Sequence, residues 1–205
     1  MKKIAILGGT FDPITKGHVA IAQAVLAETD TDQVWLQPCW KHPFASKSKA
    51  SNFELRHMMC LLATEHLSSA IRASDFERLM ASDRKQASTY DVLLRMMKYP
   101  SFKNLEFSYI IGMDNANEFH KWVNPEEIQK LVPFIVVPRD GVEPDPKVTW
   151  YRSAPHTLLK TSVGDISSTM VREAVKSDNW VGVNEIVDFS VRLFIEEHGL
   201  YRRET

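Results

Sequence analysis

The sequence predicts an α/β protein: a parallel sheet with helices on both faces. Three observations lead there. Short apolar runs of strand length recur along the chain, at KIAIL (3–7), QVWLQP (33–38), FSYIIG (107–112) and PFIVVP (133–138). Segments between them return their apolar residues at helical spacing. Strands that are apolar throughout are buried on both sides, as in a parallel sheet between two helical layers.

In chain order, KIAIL is read as the first strand, because the glycines that follow leave an apolar stretch too short for a secretory signal. HVAIAQAVLAE (18–28) then places Ile21, Ala22, Val25 and Leu26 on one helical face and joins QVWLQP as a βαβ unit with a right-handed crossover. WKHPFASKSKAS (40–51) is polar and basic, a loop. FELRHMMCLLATEHL (53–67) is a helix whose apolar face runs through Leu55, Met58, Met59, Leu62 and Leu67, and STYDVLLRMMKY (88–99) is another. After the strand FSYIIG, NPEEIQKLV (124–132) is a helix capped by Asn124 with Pro125 at its first position. The strand PFIVVP is closed by its proline. RDGVEPDPKVTWYRSAP (139–155), rich in proline, glycine and charge, is expected to be an insertion or flexible connection. TLLK (157–160) is a further strand, and ISSTMVREAV (166–175) and NEIVDFSVRLFIEEHG (184–199) are helices. With no internal repeat, 205 residues suit one domain, 1–205.

Bulk composition excludes several classes. The chain has 25 Lys and Arg against 26 Asp and Glu, so no surface-wide attraction for a nucleic-acid polymer or anionic membrane is expected, and phosphate binding must be local. No run approaches the roughly 20 apolar residues of a spanning helix. Cys39 and Cys60 have neither CxxC nor metal-ligand spacing, which points to a reducing, cytoplasmic setting and no protein-held metal. A monomer and a homo-oligomer are both compatible with the sequence.

Chemistry concentrates in GGTFDPITKGH (8–18). Ligands of a parallel α/β sheet bind beyond the carboxyl ends of its strands, and the first strand ends here. Gly8 and Gly9 are expected to allow unusual torsions and close approach of a ligand to the main chain. The next helix begins near Lys16 or Gly17, where free amides and the helix dipole favour a phosphate. Asp12 is read as stabilising the bend. Near the other end, Ser167, Ser168 and Thr169 open a helix with Arg172 about one turn on, a second place for phosphates.

Together, GGTFDPITKGH and ISSTMVREAV resemble the paired signatures of the HxGH or TxGH nucleotidyltransferase superfamily, and IIGMDNANEFHKW (110–122) resembles the IIGxD stretch and tryptophan of bacterial nicotinate-nucleotide adenylyltransferases. The ending FIEEHGLYR (194–202) is similar to their last helix and LYR tail, in which Gly199, Leu200 and Tyr201 are read as a helix stop and apolar plug. The resemblance implies a Rossmann-like fold of nucleotidyltransferase type and transfer of AMP from ATP to nicotinate mononucleotide, giving nicotinate adenine dinucleotide and pyrophosphate in NAD biosynthesis. It implies His18, Thr15 and Arg172 as catalytic residues. ATP would be bound by Gly8, Gly9, Thr10, Phe11, His18, Gly112, Asp114, Ile166, Ser167, Ser168, Thr169 and Arg172, with His42 and Lys47 reaching the triphosphate from their loop. The pyridine mononucleotide would be bound by Thr10, Arg56, Ser88, Thr89, Tyr90, Trp122 and Arg139. Mg²⁺ is implied as a partner of the ATP phosphates.

Three departures stand out. Thr15 replaces the first histidine, the form typical of phosphopantetheine adenylyltransferases, which lack the IIGMD and LYR features; the hydroxyl keeps a donor, so His18 is expected to carry more of the electrostatic load. WKHPFASK replaces the family's PPHK loop. ASTYDVLL (87–94) stands where the family has SYTxxTL, and the residues do not decide between a pyridine carboxylate and a carboxamide, leaving nicotinamide mononucleotide as an alternative acceptor. A non-catalytic nucleotide sensor would need no donor at the α-phosphate, so His18, Ser167 and Arg172 together argue for an enzyme.

Overall fold

The computed structural model describes residues 1–40, 50–80 and 87–203. In chain order the elements are β1 (Lys2–Gly9), α1 (Lys16–Glu28), β2 (Gln33–Pro38), α2 (Phe53–Thr64), β3 (Ile71–Ala73), α3 (Phe76–Leu79), α4 (Thr89–Lys98), β4 (Leu105–Gly112), α5 (Met113–Asn117), α6 (Pro125–Leu131), β5 (Phe134–Val137), β6 (Thr157–Leu158), α7 (Ser168–Lys176), α8 (Trp180–Ile186) and α9 (Phe189–Glu197). The six strands form one sheet in the order β3-β2-β1-β4-β5-β6, and each neighbouring pair is parallel. This is the doubly wound order, which reverses direction between β1 and β4 and opens a crevice at their carboxyl ends.

Alternation along the strands builds two cores. Ala5 and Leu7 of β1, Ile110 of β4, and Ile135 and Val137 of β5 face the cluster covered by α1, α2, α7, α8 and α9. Ile4 and Ile6, Tyr109 and Ile111, and Phe134 and Val136 face the opposite cluster with α3, α4, α5 and α6. A pleat that sends successive residues to opposite faces thus requires both to be apolar, which is why the strands read as unbroken apolar runs.

Four sequence expectations are corrected. The strand Ile71–Ala73 was not foreseen, since three residues after a polar turn carry no period. Only Thr157 and Leu158 of TLLK pair as strand. The final helical stretch divides at Asp188, whose carboxylate accepts from the Ser190 amide at 2.9 Å and starts α9. The segment 139–155 is a packed connection: Tyr151 is fully buried, Trp150 stacks on Phe119 at 4.6 Å, and the side chain of Asn117 binds both the Glu143 carbonyl and the Asp145 amide. Its aromatic residues anchor it against the second core.

Candidate active site

The bend after β1 is held from three directions. Arg56, 2% exposed, donates to the carbonyls of Thr10 at 2.7 Å, Cys39 and Ser51 at 2.8 Å, and Trp40 at 3.4 Å. Arg172 Nη1 donates to the Asp12 carbonyl at 2.8 Å, and Ser168 Oγ to the Pro13 carbonyl at 2.7 Å. The Asp12 carboxylate accepts from the Ser51 amide and the Tyr201 hydroxyl. With its acceptors turned outward onto these donors, the bend leaves the amides of Thr10 and Phe11 without partners among the described residues. Unpaired amides are anion donors.

The two motifs, far apart in sequence, therefore meet. Gly17 shows how closely: a Cβ there would lie 3.2 Å from both Cβ and the carbonyl oxygen of Ile166. At the start of α7, Ser167 caps the Met170 amide and Thr169 Oγ1 accepts from Arg172 Nη2 at 2.9 Å. Ser168 is already bound to Pro13. Of the hydroxyls expected on the phosphates, Ser168 spends its O–H on Pro13, Ser167 and Thr169 only accept and keep theirs, and the amides of Ser168 and Thr169 have no partner among the described residues. Free donors at this helix start are main-chain amides together with the Ser167 and Thr169 hydroxyls, a set that suits an anion.

His18, in the first turn of α1, packs on the bend. The Thr15 amide donates to its Nδ1 at 3.0 Å, and the Thr15 hydroxyl lies 2.8 Å from the same nitrogen. Because an amide N–H can only donate, Nδ1 accepts and the neutral ring carries its proton on Nε2. Burial, with the Arg139 charge adding to it, lowers the His18 pKa to about 4, so the neutral form holds at pH 7. Phe11 presses on the ring edge-to-face at 5.0 Å. Thr15, expected to reach phosphate itself, is 2% exposed with its hydroxyl turned to His18; it orients the imidazole.

Further corrections concern the glycines and arginines. Gly8 and Gly9 continue the strand, and the left-handed residue of the bend is Phe11 at φ 51°. What Gly8 supplies is space, since a Cβ there would stand 2.1 Å from the Tyr109 hydroxyl; at Gly9 it would meet the Phe11 ring at 3.0 Å. Arg56 is no substrate residue in this geometry, as its donors are committed to carbonyls. Arg139, expected beside the pyridine, bonds Asp165 at 2.6 Å and lies 3.7 Å from Asp114, on the His18 side of the crevice. Asp114 follows Gly112 at the end of β4 and is exposed.

On the second face, Ser88 closes a capping box with Asp91, so its hydroxyl serves α4. Thr89 lies near the buried Tyr109 hydroxyl, and Trp122 packs half-buried against Tyr109 at 6.2 Å and Phe119 at 5.2 Å. Tyr90 lies in the first turn of α4. His42 and Lys47 lie outside the described residues. Sequence reasoning missed Asp165, Tyr109 and Glu77, whose carboxyl accepts from the Trp40 amide at 2.8 Å; only Asp165, next to ISST, stood near a visible signal.

A family profile described as Cytidylyltransferase-like matches residues 6–174. A probable nicotinate-nucleotide adenylyltransferase of Bacillus cereus (strain AH820) is 32% identical over 204 residues, 98% of this chain and 99% of that protein. The chain belongs to the nicotinate-nucleotide adenylyltransferase family. A nicotinate-nucleotide adenylyltransferase of Bacillus subtilis (strain 168) is 31% identical, with coverage of 98% and 99%. Plasmodium falciparum nicotinic acid mononucleotide adenylyltransferase complexed with NaAD shares the fold at a TM-score of 0.80 and 21% identity, covering 98% of each chain. The Rossmann-like nucleotidyltransferase fold, foreseen from the motifs, is thereby placed on the whole chain.

The donor set of the crevice, main-chain amides, a neutral imidazole and arginines, suits an anionic ligand. Among the described residues no group of three His, Cys, Asp or Glu is placed to hold a metal, and no helix is long and apolar enough to cross a membrane.

Proposed function

We propose that this chain transfers the adenylyl group of ATP to nicotinate mononucleotide, releasing pyrophosphate and forming nicotinate adenine dinucleotide, in the cytoplasm and as one nucleotidyltransferase domain. The observation that carries this reading is the docking of the α7 start onto the bend after β1, through Ser168 to Pro13 and Arg172 to Asp12, with His18 of α1 packed on the same bend. The name borne by relatives covering nearly the whole chain supports nicotinate over nicotinamide as the acceptor's base.

In the assigned reaction an acceptor phosphate oxygen attacks the α-phosphorus as the bond to the β-bridging oxygen breaks, and pyrophosphate departs with the electron pair. The acceptor phosphate is already ionised, so no general base is required. His18 Nε2–H donates to a non-bridging α-oxygen, and Thr15 fixes the tautomer through Nδ1. The amides of Ser168 and Thr169, with Arg172, hold the β- and γ-phosphates. Asp114 receives ribose hydroxyls, and Trp122 and the α4 start bound the pyridine side. Preorganised donors of this kind contribute without reorganising during reaction. Mg²⁺ would enter with the triphosphate and would supply charge compensation.

The test is pyrophosphate release on mixing the protein with ATP and each acceptor in turn. Nicotinate mononucleotide is expected to give the highest kcat/KM. Preference for nicotinamide mononucleotide or phosphopantetheine would replace the substrate assignment, and no release with any acceptor would refute the reaction.

A further inference from the structure

Past α9 the chain doubles back. Gly199 at φ 58° and Tyr201 at φ 63° are both left-handed, and the reversal lays Tyr201 against α2, its hydroxyl 4.0 Å from Met59 Sδ. That hydroxyl donates to Asp12 Oδ1 at 2.7 Å. Tyr201 is thus more than the apolar plug its sequence context implies. It joins the last described turn of the chain to the bend after β1.

Asp12 is a branch point. It is 7% exposed, its carboxylate oxygens both lie 3.3 Å from the Ser51 amide, and its carbonyl accepts from Arg172 Nη1 at 2.8 Å. Arg172 therefore meets this residue at its neutral carbonyl and makes no ion pair with its charge. A buried carboxylate is drawn to a neighbouring guanidinium, and a paired fork is the stronger contact. Such a pair would neutralise the arginine.

We propose that Tyr201 is a positioning residue for adenylyl transfer: its hydroxyl holds the Asp12 carboxylate on the α2 side of the bend, so that the charge of Arg172 stays directed to the nucleotide phosphates. The inference rests on the proposed function. Burial and the Asp12 charge push Tyr201 ionisation well above the ordinary tyrosine range, so the hydroxyl stays a donor throughout the neutral range.

Tyr201→Phe keeps the ring and removes only the donor. Measured by pyrophosphate release from ATP and nicotinate mononucleotide, it is expected to lower kcat/KM for ATP about tenfold, the scale of one hydrogen bond to a charged group, while leaving KM for the mononucleotide within about twofold. Asp12→Asn removes the competing charge, so Tyr201→Phe added to Asp12→Asn should cost less than about threefold. Unchanged kinetics in Tyr201→Phe, or losses that multiply in the double variant, would overturn the proposal. So would a change confined to thermal stability, the mark of a merely structural contact. If wild type releases no pyrophosphate with any acceptor, the reaction assignment fails and this inference falls with it; active wild type with unaltered Tyr201→Phe refutes the inference alone.

Discussion

The two sides of the crevice are built in different ways. On the His18 side, side chains distant in sequence, Arg56, Ser168, Arg172 and Tyr201, bind main-chain carbonyls or the carboxylate of a single bend, leaving amides free. On the Trp122 side, the framework is ring against ring, with Phe119, Trp150, Phe134 and His156 in contact and the Ser88 hydroxyl spent on its own helix. Charge stabilisation needs donors fixed before the ligand arrives, and hydrogen bonds fix direction; a flat ring needs a surface, which packing supplies. The first side should therefore fail through geometry and the second through affinity.

The sharpest break is His18→Ala. It is expected to reduce kcat by about 10²–10³ with ATP binding retained, read by single-turnover kinetics beside ATP titration. Turnover near that of wild type would remove His18 from the mechanism.

Next comes Arg56→Ala, which strips the carbonyls of Thr10, Cys39, Trp40 and Ser51 of one shared partner. A loss of about 3 kcal/mol in urea unfolding is expected, and Arg56→Lys should recover little of it, since an ammonium lacks the planar fork that spans three segments.

Gly8→Ala tests the contact between the two sides. The new methyl would meet the Tyr109 hydroxyl at 2.1 Å, a clash worth about 2 kcal/mol. Adding Tyr109→Phe, which leaves Cζ at 3.0 Å, should return part of that stability. Identical melting of Gly8→Ala and wild type would show that β1 has room there.

On the packed side, Trp122→Ala should raise KM for the pyridine mononucleotide about tenfold and move KM for ATP little. Equal effects on both substrates would erase the division between the sides.

In the wild type the smallest effect concerns pH, because two opposed contributions offset each other. His18 is lowered by burial to about 4, so its contribution is complete above 6.5 and is lost as pH falls through 4. Glu77 is raised to about 7, chiefly by burial, so its contribution is complete below 4.5 and is lost as pH rises through 7. The slopes oppose each other between pH 4.5 and 6.5 and nearly cancel. Glu77→Gln should uncover a loss on the order of 2 kcal/mol on acidification across that window, and His18→Gln the opposite trend, both by urea melts at stepped pH.

Much of this was legible from residues alone. Unbroken apolar runs of strand length and apolar residues returning at a period of 3.6 mark strand and helix, so KIAIL, QVWLQP, FSYIIG and PFIVVP became β1, β2, β4 and β5. The helix beginning at Lys16 was visible because special residues crowd the bend before it. The three-residue β3 was not, having no length over which a period can show.

What the sequence by itself determined was the alternation that makes a doubly wound sheet and the two motifs at its carboxyl edge. Tertiary structure decided which polar groups remain free for a ligand. Ser168 meets Pro13 across 155 positions and Tyr201 meets Asp12 across 189, and no local period encodes such a pairing. Each hydroxyl and guanidinium looks like a ligand donor until the fold presents a nearer carbonyl or carboxylate, and a buried acceptor takes the donor that reaches it. The role of a polar side chain here is set by its distance to those acceptors, a quantity that exists only once the chain has closed.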